Sequence, residues 1–289
     1  MTDLTIRAGE LRLAASVYGP SSSPPVAFFH GVSNSRDTWD EIAAALCPEY
    51  QVWTLDFRGH GHSDRVATYD INGYVADARA LIETIERPTI VVGHSLGACV
   101  AGVLAQQPHP LVRGALLEDP PWYLGEPGEW SKSAVSGLFP IVAAKQAELQ
   151  ASNAALSAYV DFLSNAPSPL GGRAADHIGP RHLLSRASGL QRQDNRCWGA
   201  AARGGEQGDN ALAAIDTSRP FRCPTQILLG DPKLGGVILE GHDIRLAKTN
   251  PDAKMIQYAG CGHLLHQTSA FEARFLQDLR GFLSSFPSH

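Results

Sequence analysis

The chain has 289 residues, 44% of them hydrophobic, which is enough apolar material for one large core and excludes a disordered or fibrous protein. A net charge of -5, with acids and bases mixed and no long runs of either sign, leaves no electrostatic footprint for nucleic acid or an anionic membrane, so a small, roughly neutral ligand is the simpler expectation. No run of eighteen apolar residues occurs, so a membrane-spanning helix is not expected.

The N-terminal stretch MTDLTIRAGELRLAASVYG alternates apolar and polar residues and carries an early acid, Asp3, a strand pattern and not that of a secretion signal. The five cysteines (Cys47, Cys99, Cys197, Cys223 and Cys261) are odd in number, scattered and without a CxxC pair, as expected of reduced, structural thiols in a cytoplasmic protein. Further along, VAFF (26–29), QVWTL (51–55), TIVV (89–92) and GALL (114–117) are short and apolar on both faces, as central strands of a covered parallel sheet must be. Helical spacing fills the gaps at 38–46, 74–85 and 96–106.

From 122 to 219 the alternation stops. Helical fragments at 133–154, 156–163 and 182–190 are separated by the Pro- and Gly-rich joints APSPLGGRA (166–174) and ARGGEQGDN (202–210). So much chain is too long for one loop. We read 122–219 as a helical cap inserted between two parts of a core domain, 1–121 and 220–289, over the sheet edge where open α/β sheets bind ligands. The tail returns to the earlier scheme with QILLG (226–230), a helix through 244–247, KMIQY (254–258) and a last helix. There Phe271, Phe275, Leu276, Leu279, Phe282 and Leu283 share one face. The expected class is α/β, a mostly parallel doubly wound sheet with a helical insertion.

The chemistry-bearing stretch is TIVVGHSLGACVAGVLA (89–105), in which Gly93, Ser95 and Gly97 form G-x-S-x-G between a strand and a helix. Glycines without Cβ let the backbone close in, and a strained turn lifts the serine hydroxyl above the sheet. The next amide, Leu96 N–H, lies in the first helical turn, where it has no intrahelical partner. The structural alternative is a plain Gly-Ser turn, against which the flanking strand and helix argue.

With this motif the chain resembles the α/β-hydrolase family, and the likeness covers nearly all of it apart from the insertion. VAFFHGVSNSRDTW (26–39) is similar to the family's strand and His-Gly loop, LDFRGHGHSD (55–64) to its D-x-R-G-x-G-x-S loop, and AGCGHLLH (259–266) to the G-x-G-H segment that supplies a catalytic base. The resemblance implies Ser95 as nucleophile, His263 as base, Val32 and Leu96 N–H as oxyanion donors, and no cofactor or metal. His94, His266 and His30 rival His263 for the base, with structural hydrogen bonding the expected role of each.

The acid departs from the commoner pattern, because Lys233 in LLGDPKLGG holds its usual position. Two candidates remain, Asp119 in ALLEDPPW and Asp231, with Glu118 a third. The resemblance favours Asp119, as in a branch that includes some haloalkane dehalogenases, and Asp231 is then expected to cap or brace its loop. Glu118 should point to the other side of its strand.

A serine nucleophile implies acyl chemistry on an ester, lactone, thioester or activated amide. Related sites also cleave C–C bonds, use peroxide or transfer acyl groups. A receptor that retains the fold without turnover is another class. A zinc hydrolase is the third: HGHSDR (60–65) falls one residue short of H-x-H-x-D-H, since Arg65 stands where the last histidine would be and cannot ligate. Trp122, Tyr123, Trp130, Phe139, Tyr159, Phe162 and Trp198 enrich the insertion in aromatics, which more often build core than touch ligand. Trp122 and Trp39 are nevertheless candidate cleft residues, with His30 and His94 beside them, and the expected substrate is a moderately apolar ester or lactone. Among the cap arginines, Arg173, Arg181, Arg186, Arg192 and Arg196, solvated helix faces are the expected place, with carboxylate binding the alternative.

Overall fold

The computed structural model describes residues 1–203 and 211–287, apart from the side chains of residues 200–203. Most of the second Gly-rich joint therefore lies outside the described residues. The alternating N-terminal pattern becomes a hairpin, β1 (Thr2–Ala8) and β2 (Leu11–Tyr18), turned at Gly9 with φ 64°. The core continues through β3 (Pro25–Phe29), α1 (Asp40–Leu46), β4 (Gln51–Leu55), α2 (Ile71–Ile85), β5 (Thr89–His94), α3 (Leu96–Gln106) and β6 (Val112–Glu118). Between β6 and β7 (Thr225–Gly230) lie α4 (Val135–Ala151), α5 (Leu156–Ser164) and α6 (Pro180–Arg192), with no strand of the sheet among the described residues. α7 (His242–Thr249), β8 (Lys254–Tyr258) and α8 (Glu272–Leu283) complete the chain. α2 begins three residues before the start read from periodicity, because Asp70 caps it, its carboxylate accepting from Gly73 N–H at 2.8 Å.

The eight strands run in the order β1-β2-β4-β3-β5-β6-β7-β8, parallel from β4 onward and antiparallel at β1/β2 and β2/β4. β3, β5 and β7 are buried throughout, which is why they read as unbroken apolar runs. The order reverses at β3, so the chains leaving β3 and β5 diverge and open a crevice at their C-terminal ends. One face of the sheet packs on α2 and α3 through residues such as Tyr74, Leu81, Val100 and Leu104. The other face takes α1 and α8, through Ile42, Leu46, Phe275, Leu279 and Phe282. A separate apolar cluster formed by α4–α6 and the segment after α6, including Leu149, Tyr159, Leu183 and Trp198, packs onto Val32 and Leu264 of the core. None of the described helices is long and apolar enough to cross a membrane.

Candidate active site

Each side chain at the crevice is placed by the end of a strand. β5 ends at His94, and Ser95 follows at φ 55°, ψ -117°, a conformation that costs on the order of 1–3 kcal/mol and persists only because its surroundings impose it. A Cβ on Gly93 would collide with the Gly97 carbonyl, and one on Gly97 with the Phe29 carbonyl. Those contacts are the physical need for both glycines. Ser95 N–H donates to Glu118 O at 3.0 Å, tying the bend to β6.

β6 ends in two consecutive acids that part to opposite sides. Asp119, buried and at φ 41°, has Oδ2 2.7 Å from His263 Nδ1. Gly230 N–H and Val237 N–H donate to the same carboxylate at 3.0 and 2.9 Å, so it is fixed before it meets the imidazole. Glu118 turns the other way and accepts from His266, from the backbone N–H at 2.9 Å and facing Nδ1 at 2.7 Å. Burial pushes the Glu118 carboxyl up to about 7 and holds His266 well below the ordinary histidine value. His266 Nε2 faces Thr38 Oγ1 at 3.1 Å, and Gln267 Nε2 donates to that hydroxyl at 2.6 Å.

Asp231 does not approach His263. Its Oδ1 accepts from Lys233 N–H at 3.0 Å and its Oδ2 from Gly260 N–H at 3.3 Å, which caps the short 3-10 turn Pro232–Leu234. Val32 N–H and Leu96 N–H donate to no acceptor among the described residues; Leu96 follows Ser95 in the chain, and Gly31, which precedes Val32, packs against Ser95 and His94. No hydrogen bond closes between Ser95 Oγ and His263 Nε2 among the described residues.

The loop after β3 is braced from two directions. Asp56, fully buried, accepts from Arg36 N–H at 2.7 Å, pairs with the Arg36 guanidinium and accepts from His62 N–H at 3.0 Å. From the insertion, Gln193 Oε1 accepts from Ser33 N–H at 2.6 Å, and Gly189 packs on the Asn34 backbone. Gln193 went unnoticed in the sequence because no local motif marks it, 160 positions from its partner. In HGHSDR, Asp64 is taken by the Arg12 backbone and side chain at 2.8 and 3.2 Å, and His60 faces Arg58 O. Those residues hold a turn, and they do not converge as ligands.

The four residues expected to touch substrate are all buried, as is Ser95 itself. Trp39 has no exposed surface and stacks on His266 with ring centroids 4.2 Å apart. Trp122, 1% exposed, packs edge-on to Phe221 and onto Gly102 of α3. His30 faces Gly31 O through Nδ1 and accepts from Phe57 N–H through Nε2, at 2.8 and 3.1 Å. His94 Nε2 faces the His263 carbonyl oxygen at 3.1 Å. Burial lowers His30 to about 4 and His94 well below the usual range, so both stay neutral.

Residues 26–274 match the Alpha/beta hydrolase family, and the chain belongs to it. It is 34% identical over 110 residues to 2-(acetamidomethylene)succinate hydrolase of Mesorhizobium japonicum, which is 37% of this chain and 40% of that relative. The chain thus matches this curated relative over less than half of its length. Two solved structures share the fold over 98% of the chain: E-2-(acetamidomethylene)succinate hydrolase (TM-score 0.73, 21% identity, 99% of that chain) and a putative aryl esterase from Burkholderia cenocepacia (TM-score 0.70, 24% identity, 98% of that chain).

Proposed function

We propose that the protein is a serine hydrolase of the cytoplasm that cleaves a moderately apolar carboxylic ester or lactone through an acyl-serine intermediate, beneath a cap formed by residues 122–219. Ser95 Oγ attacks the carbonyl carbon while His263 Nε2 takes its proton, and Asp119 holds Nδ1 protonated. The Val32 and Leu96 amides receive the oxyanion, His263 returns the proton to the leaving alcohol, and water then releases the acid by the same steps in reverse. No metal or cofactor enters this sequence.

The observation that carries the proposal is the 2.7 Å contact of His263 Nδ1 with a buried acid, beside a serine held at positive φ. Support for an apolar substrate comes from the insertion's apolar cluster, which packs on Val32, the bearer of one of the two amides, and on Leu264, next to the base. The five free cysteines suit a reducing compartment.

Ser95→Ala is expected to abolish fluorophosphonate labelling and to lower kcat by about 10⁶, as loss of a serine nucleophile does. Undiminished hydrolysis by the purified variant would end the proposal. Sustained multiple turnover by the wild-type protein separates an enzyme from a ligand receptor.

One observation favours a second reading, a substrate that carries its own carboxylate. Among the cap arginines, Arg173, Arg181, Arg192, Arg196 and Arg219 pair with Asp176, Glu41, Asp37, Asp194 and Asp216. Arg186 has no carboxylate partner among the described residues; its Nη1 donates to Gln267 Oε1 at 2.9 Å, and burial lowers it to about 10. A relative named for a substituted succinate makes the same suggestion. Comparing a neutral butanoate ester with the matching succinate half-ester, in wild type and Arg186→Gln, decides between the readings.

A further inference from the structure

Away from Ser95, three potential ligands converge where the insertion meets the core. Glu41 lies in α1, His182 in α6 and Glu272 at the first position of α8. His182 Nε2 stands 3.6 Å from Glu41 Oε2 and 3.4 Å from Glu272 Oε1, and the three donor atoms all lie within 4.8 Å of one another. The imidazole is buried, 6% exposed, while both carboxylates keep a path to solvent.

The distances discriminate between two explanations. They exceed the roughly 2.7–3.2 Å of an N–H···O hydrogen bond, and His182 makes no side-chain hydrogen bond among the described residues. They do match a coordination edge: two ligands about 2.0–2.1 Å from a zinc ion, at a tetrahedral angle, stand roughly 3.4 Å apart. Glu41 is prepared for this role, because Arg181 Nη1 donates to its Oε1 at 2.9 Å and leaves Oε2 free to face His182. With Arg181 counted, the two carboxylates leave one net negative charge for a cation to neutralise. One imidazole nitrogen and two carboxylate oxygens are a donor set that suits zinc and its first-row neighbours, with a fourth position for water.

We propose that Glu41, His182 and Glu272 form a zinc-type divalent cation site that clips α6 of the insertion to α1 and α8 of the core. The ligands come from three distant parts of the sequence, so the site exists only in the folded chain and binding stabilises that state. α6 also carries Gly189 and is followed directly by Gln193, and both brace the loop bearing Val32. A cation at His182 therefore fixes the height of the insertion over that loop without touching the reacting atoms.

The test uses full-length protein stripped by chelation, titrated with ZnCl2 by calorimetry and with CoCl2 by visible absorption. The expected result is one zinc per chain, a raised thermal midpoint, and cobalt bands of a four-coordinate site. His182→Ala and Glu272→Gln each weaken binding by at least about tenfold, and His177→Ala leaves it unchanged. Because His182 is buried, Glu272→Gln decides the matter if His182→Ala does not fold. Absence of zinc binding by the wild-type protein, or unchanged affinity in Glu272→Gln, overturns the proposal.

Discussion

The end of β6 holds two acid–histidine pairs that differ in almost nothing but access. Asp119 meets His263 and Glu118 meets His266, each carboxylate oxygen 2.7 Å from an imidazole Nδ1. The His263 side chain is 19% exposed, whereas neither member of the second pair has any exposure. A proton shuttle needs a free nitrogen turned toward the reacting atoms, and His266 spends its Nε2 on Thr38 beneath the Trp39 ring. In the proposed mechanism the same contact therefore serves proton transfer in one place and rigidity in the other. The buried pair also grips the His266 backbone, three residues from the base, so it positions the segment that carries His263.

The sharpest way to break this comparison is to substitute each acid in turn. Asp119→Asn, which leaves His263 in the wrong tautomer, is expected to lower kcat by about 10⁴ with the fold retained, measured on purified protein. Glu118→Ala is expected to behave in the opposite way. It costs about 1–3 kcal/mol in denaturant unfolding, because the buried N–H groups of His266 lose their acceptor, while kcat of the folded protein stays within roughly tenfold of wild type. Equal losses of activity from the two substitutions would remove the distinction.

pH sharpens it further. His30, lowered to about 4, and His60, lowered to about 3, owe their shifts first to burial. A histidine kept neutral in the fold contributes stability that is present above its unfolded value of about 6.5 and lost as pH falls. Each should lose roughly 3 kcal/mol by pH 4. Glu118 has the opposite sign: raised to about 7, it penalises the fold as pH climbs from about 4.5 and relieves that penalty on acidification. Glu118→Ala should therefore lose stability more steeply than wild type between pH 7 and 4.5, as read from unfolding midpoints. The smallest effect belongs to Asp231→Ala, expected to cost about 1 kcal/mol as a lost cap and to change kcat by less than about threefold; a loss near that of Asp119→Asn would transfer the acid's role to Asp231.

Local chemistry was legible where a function depends on neighbours in the chain. Gly93, Ser95 and Gly97 announce a strained bend because only glycine tolerates the approach of Gly97 O and Phe29 O, and the buried strands announce themselves as apolar runs. Side-chain direction was less so. Trp39 and Trp122 sit next to crevice loops in sequence, and both rings rotate into buried positions. Sequence proximity carries no information about that rotation.

What the sequence determined by itself is the α/β class, the order of its elements and the strand-to-helix turn at Ser95, since hydrophobic period and glycine sterics act over a few residues. Only the tertiary structure decided that Asp119 meets His263 while Asp231 caps a turn, and that Gln193 reaches Ser33. Those partners lie 144 and 160 residues apart, and a hydrogen bond that selects one donor from many depends on angles and burial set by the packed sheet.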